Sequence, residues 1–321
     1  MRVRFGYVST ALSLWECSPS KTLTFTRWKA MPKDERMEKL IDVTGQNLKN
    51  TLRMLHYNVA HEIELYRMSS SIVPLATHPE ATWDYRTIFK KELLEIGEFI
   101  KKQKLRVSLH PNQYTLFTSE KKQITKNAVL DMQYHYDLFE GMDIVNEDRV
   151  NINIHVGGAY GDKTKALERF HKNIKQLPEI VKQKMTLEND DKTYTSLETL
   201  SVCRKEKVPM VFDYHHHMAN LGEEEPDLNQ VISDTFATWS NWSIPPKVHI
   251  SSPKSEKEFR SHADYVSLDF IMPFLKATKE LQIDYDIMIE AKQKDRSLIK
   301  LVDEISKIRG IKRKSGASIE W

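Results

Sequence analysis

The chain has 321 residues, 40% of them hydrophobic, which suits one large core such as that of a single (β/α) barrel. Its formal net charge of +3 allows an anionic partner without requiring one. Cys17 and Cys203 are the only cysteines, which excludes a disulfide framework and a four-cysteine zinc site and predicts a reducing compartment. No apolar run approaches the roughly 20 residues that span a bilayer, and the first residues lack a signal region, so we expect a cytoplasmic protein with no membrane partner.

Alternating and apolar segments predict eight strands, each followed by a helix. The strands are expected at residues 2–9, 65–71, 106–110, 150–156, 185–188, 210–213, 247–251 and 285–290. Residues 10–33 form an aromatic-containing insertion after the first strand, and residues 309–321 form a basic tail. This order predicts an α/β fold, a (β/α)8 TIM barrel, as one domain over residues 1–321. An open doubly wound sheet is the alternative, but no Gly-rich phosphate loop follows the first strand.

Strand polarity predicts a polar barrel interior. In the fourth strand Asn151, Asn153 and His155 share one face, and in the seventh Lys247 shares a face with His249. The opposite, apolar faces would pack against the outer helices. Polar side chains that point into the barrel need partners, because an unpaired buried polar group is costly.

Six consecutive strands end in a histidine or a carboxylate, at the rim where barrel enzymes place their active sites. These residues are His110, His155, Glu188, Asp213, His249 and Glu290, and the loops just beyond add His78, His216 and His262. A single strand histidine is more often a hydrogen-bonded core residue than a metal ligand. For the whole set, metal binding is the favoured interpretation, because so many ionisable groups at one rim would repel each other without cations between them. The donor set predicts two or three divalent metal ions.

Two features of this rim stay open from spacing alone. If the sixth strand continues past Asp213, His215 and His217 share its face; if the strand breaks there, His216 is presented instead. Lys247 is predicted to point inward beside His249, where an amine near metals would be repelled unless it is compensated or covalently modified. The other interpretation shifts this strand and leaves Lys247 in solvent.

A rim with several metals suits phosphoester hydrolysis, in which neighbouring ions stabilise both the attacking and the leaving oxygen. Sugar isomerisation on a two-metal barrel fits the same donors, so the loops must distinguish the two. Gln113 and Tyr114 follow His110 and Pro111, and the proline should hold them out on a turn where a flat side chain can stack on a base. The other aromatic residues near the rim, among them Trp15, are interpreted as packing residues.

At these residues the chain resembles the UV damage endonucleases over essentially the whole barrel. The segments that carry the resemblance are Phe5-Gly6-Tyr7-Val8, Arg67-Met68-Ser69-Ser70-Ser71, Ser108-Leu109-His110-Pro111-Asn112-Gln113-Tyr114, Asn153-Ile154-His155-Val156-Gly157-Gly158, Leu187-Glu188-Asn189-Asp190, Asp213 to His217, Lys247-Val248-His249-Ile250-Ser251 and Ser261-His262-Ala263-Asp264. The His-Pro-Asn-Gln-Tyr segment and the ordered set of ligands are specific, whereas the Gly-Tyr start is not.

The resemblance implies a repair endonuclease, similar in fold to the endonuclease IV class, that cuts double-stranded DNA immediately 5′ to cyclobutane pyrimidine dimers and 6-4 photoproducts. It would leave a 3′-hydroxyl, act on abasic sites too, work as a monomer and lie near the nucleoid if the source is bacterial. Manganese is the expected metal, with zinc or magnesium as alternatives.

The resemblance also implies roles for the site residues. His110, His155 and Glu188 would hold one metal, Glu188, Asp213, His249 and Glu290 a second, and His216 with His262 a third, with His78 in support. The catalytic residues would be Glu188, His110, His155 and Lys247, the last matching a lysine that can be carboxylated. Gln113 and Tyr114 would wedge into the duplex opposite the lesion with Tyr7 beside them. The rivals are a sugar isomerase or epimerase and a non-catalytic, metal-folded DNA-binding protein.

Overall fold

The structure is a computed structural model that describes residues 1–223 and 225–321. The strands are β1 (Arg2–Val8), β2 (Leu65–Arg67), β3 (Arg106–Leu109), β4 (Val150–His155), β5 (Met185–Glu188), β6 (Met210–Asp213), β7 (Lys247–Ile250), β8 (Tyr285–Ile289), β9 (Lys312–Ser315) and β10 (Ser318–Glu320). The helices are α1 (Phe25–Ala30), α2 (Glu35–Ala60), α3 (Tyr85–Ile88), α4 (Lys90–Gln103), α5 (Lys122–Gly141), α6 (Lys163–Asn173), α7 (Glu179–Lys182), α8 (Ser196–Glu206), α9 (Tyr214–Ala219), α10 (Leu228–Ala237), α11 (Leu268–Leu281) and α12 (Lys294–Ile305). A short 3₁₀ helix, Ile174–Gln176, follows α6.

The first eight strands close into a parallel barrel. Each pairs with the next in chain order from β1 to β8, and β8 returns to pair with β1 through Val3 to Tyr7. At Gly6 a side chain would collide with the backbone of Leu65, so glycine allows β1 and β2 to approach. The (β/α)8 TIM barrel predicted from the sequence is therefore confirmed.

The basic tail forms a hairpin that the sequence pattern did not predict. β10 runs antiparallel to the first half of β1, at Arg2 to Arg4, while the second half of β1 pairs with β2. β9 completes the hairpin at the edge of the sheet. Lys312 and its basic neighbours therefore lie at the end of the barrel where the strands begin, opposite the rim that carries the predicted ligands. Their side chains do not alternate between polar and apolar, so no strand signal was visible.

The barrel interior is polar, as strand polarity predicted, and it contains buried charged side chains. Asp286 is fully buried and accepts hydrogen bonds from Arg4 and Arg106 at 2.6–2.7 Å. Higher in the barrel, Lys247 Nζ donates to Asn151 Oδ1 at 2.9 Å. The apolar faces of the strands pack outward against the helices, with Ile152, Ile154, Val248 and Ile287 among the fully buried side chains.

Two segments differ from their predicted extents. The second strand ends at Arg67 rather than at residue 71, because the chain turns at Ser69, whose Oγ accepts from Ser71 N at 3.1 Å. The insertion at residues 10–33 contains α1, whose Trp28 packs with Leu23, Leu40 and Ala81 in a small separate core. None of the described helices is both long and apolar enough to cross a membrane.

Candidate metal centre

The predicted ligands meet at one end of the barrel because the strands are parallel and end at a common rim. Glu188, His155 and Asp213 are the last residues of β5, β4 and β6, and the register pairs His155 with Glu188 across the sheet. His110 follows β3 directly, and Glu290 follows β8. His249 lies one residue before the end of β7 and pairs with Met288.

Glu188 is the centre of this arrangement. Three groups of side chains each place their donor atoms within 4.8 Å of one another, and Glu188 belongs to all three. The groups are His110, His155 and Glu188; Glu188, Asp213 and His216; and Glu188, His249 and Glu290. A single carboxylate that faces three sets of nitrogen and oxygen donors could bridge neighbouring metal ions.

The spacing of the donor atoms around His249 fits a coordination shell better than a pair of hydrogen bonds. His249 Nδ1 lies 3.1 Å from Glu188 Oε2 and 3.0 Å from Glu290 Oε1, yet neither contact is aligned as a hydrogen bond. Two neighbouring ligands of an octahedral ion, each about 2.1 Å from it, are separated by about 3 Å. The carboxylates and the imidazole therefore stand where ligands of a shared cation would stand.

Unsatisfied buried atoms support the same conclusion. His155 Nδ1, Asp213 Oδ2 and His249 Nδ1 are buried and have no hydrogen-bond partner within residues 1–223 and 225–321. Leaving such a group unpaired costs about 1–3 kcal/mol, so buried polar atoms normally find a partner. A divalent cation at these atoms would supply that partner, and the residues present could therefore bind a metal.

Neighbouring polar groups fix the orientation of the predicted ligands. Asn153 Nδ2 donates to Glu188 Oε2, and His110 Nδ1 lies 2.8 Å from the carbonyl oxygen of Pro111. His262 Nδ1 lies 2.8 Å from the carbonyl oxygen of Glu290. Contacts of this kind set the tautomer and the ring plane of a histidine ligand and so leave its other nitrogen free to bind a metal.

The charges of the centre favour anionic carboxylates. Burial alone would raise the pKa of Glu188, but His249, His155 and His110 outweigh it and hold that pKa well below its ordinary value. Burial would likewise raise the pKa of Glu290, and Arg67 with His249 holds it well below the ordinary value. The carboxylates are thus ionised and ready for cations.

The pKa values of two histidines in the centre shift in opposite directions. Burial lowers the pKa of His216, but the carboxylates of Asp213, Glu188 and Glu290 overcome this effect and raise it to about 9. For His110 burial dominates and lowers the pKa. A metal that binds His216 must therefore displace a proton from it.

The structure resolves the open question of the triple histidine. β6 ends at Asp213, which caps α9 by accepting from the backbone N–H of His216 at 2.8 Å. The first turn of α9 then carries His216 toward Glu188, with 3.5 Å between Nδ1 and Oε1. His215 instead contacts the carbonyl oxygen of Phe259, and His217 contacts the hydroxyl of Ser196.

The structure brings the predicted ligands into groups that overlap only in part with the sets that the resemblance implied. Asp213 lies with His216, whereas it had been expected to share a metal with His249 and Glu290. His262 belongs to none of the three groups, although its ring centroid is 6.0 Å from that of His216. His78 is also outside them and stacks on Phe25, with 3.8 Å between ring centroids.

Lys247 points into the barrel, as alternation predicted, and is fully buried. Burial lowers its pKa well below the ordinary value, and the nearby guanidinium groups of Arg106 and Arg67 lower it further. Lys247 is not among the three groups of donors. It connects to them through a chain of hydrogen bonds from Asn151 to Thr186 and Asn153, and from there to Glu188.

Gln113 and Tyr114 lie on an exposed turn, as Pro111 predicted. Asn112 Oδ1 accepts from Tyr114 N at 2.8 Å, and Asn112 O accepts from Thr115 N at 3.1 Å, so both ends of the turn are tied down. The Tyr114 side chain is 71% exposed. Tyr7, which was expected beside them against DNA, is instead fully buried, and its hydroxyl donates to Asn58 at 2.7 Å.

Sequence reasoning missed several residues that hold the ligands in place. Arg67, the last residue of β2, pairs with Glu290 Oε1, and Asn189 holds both backbone groups of Asp213 at 2.9 Å. Arg67 could have been found by the rule used for the other strands, since it also ends a strand at this rim. Asn189 and Thr186 carry no comparable signal, because their partners are set by the register between strands.

Comparison with known proteins identifies the family of the chain. The family model of the UV-endonuclease UvdE matches residues 3–321. The chain belongs to this family. It is 60% identical over 321 residues to the UV DNA damage endonuclease of Bacillus cereus (strain B4264), with both chains covered completely, and 60% identical to that of Bacillus mycoides (strain KBAB4) over the same length.

Solved structures support the fold of this family member. The crystal structure of SacUVDE matches with a TM-score of 0.82 and 30% identity, covering 95% of this chain and all of that one. The 3-keto-D-glucoside 4-epimerase YcjR of E. coli matches with a TM-score of 0.53 and 10% identity over 92% of this chain and 95% of its own. The second likeness concerns the barrel alone.

Proposed function

We propose that this protein is a metal-dependent DNA-repair endonuclease that nicks a strand immediately 5′ to cyclobutane pyrimidine dimers and 6-4 photoproducts and leaves a 3′-hydroxyl. Abasic sites are proposed as further substrates. The observation that carries the proposal is the pairing of a Glu188-centred donor cluster with an exposed wedge: His110 is a member of the cluster, and Tyr114 lies four residues after it on the same loop. Membership of the UV-endonuclease family and relatives named UV DNA damage endonuclease support it.

The donors that would hold the ions are the three groups around Glu188, with His262 beside His216. Mixed imidazole and carboxylate ligands suit manganese, and zinc and magnesium are the ions to compare with it. Bound ions would supply electrostatic stabilisation of a phosphodiester and a water of lowered pKa. Glu188, His110 and His155 are the proposed catalytic residues because they would touch the reacting centre.

Lys247 is proposed as a positioning residue. Its amine is fully buried and acts on Glu188 through Asn151, Thr186 and Asn153. Carboxylation of Lys247 is part of the proposal, since the same Arg106 and Arg67 that repel an ammonium would attract the resulting anion. In this step the neutral amine adds to CO2 and releases one proton, which gives a carbamate. Carbon-13 NMR of the folded protein at neutral pH, prepared with carbon-13 bicarbonate, tests it, and the absence of a protein-bound carbamate signal would remove it.

Gln113 and Tyr114 are proposed to enter the duplex at the damaged site. Their side chains are exposed while the backbone around them is fixed by Asn112 and Thr115, so little conformational freedom is lost when they contact DNA. The cost of unstacking is smallest where a photoproduct has already disrupted the helix. Lesion choice would follow from that difference. Tyr7 would support the DNA-binding surface from inside the protein and would not contact DNA, because it is fully buried.

The setting is part of the same proposal. Cys17 and Cys203 are both free and buried, which suits a reducing cytoplasm where the chromosome is accessible. We propose a monomer, which size-exclusion chromatography with light scattering would test. A dimer at working concentrations would contradict that point without affecting the site.

The test is nicking of irradiated against unirradiated duplex in the presence of manganese, with the cut mapped on a sequencing ladder and the 3′ end examined by polymerase extension. The proposal expects cutting of irradiated DNA only, at the phosphate 5′ to each photoproduct, with extendable ends. Equal cutting of both duplexes would remove lesion recognition. Binding without cutting would favour a non-catalytic binder, and turnover of a ketose with no action on DNA would favour an epimerase.

A further inference from the structure

The loop after β1 carries the most exposed large hydrophobic side chain of the described residues. Trp15 is 83% exposed, ahead of Tyr114 at 71%. Both residues lie in loops that follow barrel strands, and such loops emerge at the rim that holds the ligands. Burying a tryptophan against a partner is favourable, so an exposed ring on the same side of the barrel as the donor cluster offers a contact surface.

The loop that presents Trp15 is held rigidly. Buried Asn50 donates to the carbonyl oxygen of Ser18 at 2.8 Å, and buried Asp295 accepts from the backbone N–H of Leu12 at 2.6 Å. Buried Asn47 exchanges two hydrogen bonds with the backbone of Lys21, at 2.9 and 3.0 Å. Three fully buried polar side chains therefore hold a surface loop in place. A fixed loop binds with a smaller loss of entropy than a mobile one.

A basic groove of about 590 Å³ adjoins Trp15. Its charged lining comprises Glu16, Lys21, Lys49 and Arg53. Arg53 donates to the backbone carbonyl oxygen of Trp15 at 3.3 Å, which links the groove to the segment that carries the exposed ring. Three cations against one carboxylate, beside an exposed aromatic ring, fit a phosphodiester strand.

The position of the groove along the barrel axis follows from α2, which runs from the rim of the barrel back toward the end where the strands begin. Asn58 in α2 contacts Tyr7, one residue before the end of β1. Arg53 and Lys49 precede Asn58 by five and nine residues, which is about 7.5 and 13.5 Å of helix, whereas Val8 is only about 3.3 Å beyond Tyr7. The groove therefore lies at or above the strand ends, on the side of the barrel that carries the metal centre.

We propose that Trp15, Lys21, Lys49 and Arg53 form a second DNA contact, the Trp15 groove, which holds the backbone of the duplex away from the lesion. This inference rests on the proposed function, because it takes the substrate of that site as its ligand. The lysines and the arginine contact phosphates, and Trp15 packs on the sugar or base at the same step. The Trp15 groove thereby adds affinity for flanking DNA and leaves the chemistry at the centre unchanged.

The test measures binding of lesion-containing duplex by fluorescence anisotropy over a series of salt concentrations, with W15A, K21A and K49A. Each lysine variant is expected to lower the slope of log K against log salt by about 1, as one phosphate contact does. W15A is expected to weaken binding at least about fivefold with the slope unchanged, because an aromatic contact carries no charge. Both effects should disappear on a duplex whose flanks are trimmed.

Matched controls lie at the other end of the barrel. K312A removes an exposed lysine from β9, and I180A removes a side chain that is 53% exposed in α7; neither should change binding. Cleavage at saturating DNA should equal that of the wild type in every variant. Wild-type affinity in W15A together with a wild-type slope in K21A and K49A would overturn the proposal and leave Trp15 to another partner. Failure of the wild type to cut lesions would instead reject the proposed function, and the binding data would still decide on the Trp15 groove.

Discussion

Thr186 offers a sharp test of how the barrel interior positions Glu188. Its fully buried hydroxyl accepts from Asn151 Nδ2 at 3.0 Å and donates to Asn153 Oδ1 at 2.8 Å, and Asn153 in turn donates to Glu188. Thr186→Val keeps the shape and removes both hydrogen bonds. Two buried polar groups are then left unpaired at about 1–3 kcal/mol each, so we expect a loss of about 2–6 kcal/mol in the free energy of unfolding.

The same change should reach the metal centre. Without the Thr186 hydroxyl, Asn153 is free to reorient, and Glu188 loses the contact that fixes its Oε2 atom. Loss of an outer-shell partner of this kind lowers metal affinity about 10- to 100-fold. Thr186→Ser is the matched control, because it keeps the hydroxyl and therefore both hydrogen bonds.

Two measurements separate the effects on stability and on binding. Chemical denaturation in chelator gives the free energy of unfolding without metal, and titration of metal-free protein with manganese gives the affinity. The account requires that Thr186→Val be impaired in both and that Thr186→Ser stay close to wild type in metal affinity. Unfolding free energies of wild type and Thr186→Val within about 0.5 kcal/mol, with equal metal affinities, would refute the reasoning.

Three further predictions concern single residues. Glu188→Gln should lower bound manganese and reduce nicking about 100- to 1000-fold, because one carboxylate serves all three donor groups. Metal analysis of dialysed protein checks this prediction, and wild-type metal content would count against a shared ligand. Tyr114→Ala should weaken binding to lesion duplex at least about fivefold. The unfolding free energy should stay within about 0.5 kcal/mol, since the side chain is 71% exposed. Unchanged lesion affinity would exclude Tyr114 as a side chain that enters the duplex. Burial raises the pKa of Glu206, but Lys182 and His171 outweigh it and lower the pKa below 4.5. The stability that Glu206 adds is then fully present above pH 4.5 and is lost as the pH falls through the lowered pKa. Glu206→Gln should therefore lose less unfolding free energy than the wild type on acid titration. Parallel curves of unfolding free energy against pH for the two proteins would disprove the role of the ion pair.

The barrel and most of its rim could be predicted from the sequence. Strand alternation placed Asn151, Asn153 and His155 inward and Ile152 outward, which is what the structure shows, because a buried strand separates its two faces with a period of two. The rule that parallel strands end at one rim then gathered His110, Glu188 and Glu290 without any knowledge of distance.

What the sequence could not provide was the position of residues relative to one another across strands. Asp213 and His216 share a donor group because Asp213 caps α9, and nothing in the run of histidines reveals where that helix begins. Tyr7 illustrates the same limit: it ends up buried against Asn58, and an aromatic near a strand end looks the same whether it packs inward or faces solvent.

The structure of the tail and of the insertion could not be predicted from the sequence for another reason. β9 is composed of Lys312, Arg313, Lys314 and Ser315, which have no apolar face, so its pairing depends on β10 and β1 rather than on its own pattern. Trp15 was interpreted as a packing residue because most tryptophans are, and only its exposure in the structure separates it from the buried Trp28.

The most direct test of the account is cleavage of a duplex that contains one cyclobutane dimer at a known position, by metal-stripped protein before and after manganese is restored. We predict a single cut at the phosphate immediately 5′ to the dimer, only with metal, and none in the matching undamaged strand. Cutting without metal, or equal cutting of the undamaged duplex, would contradict the claim that the Glu188 cluster binds cations to act at UV lesions.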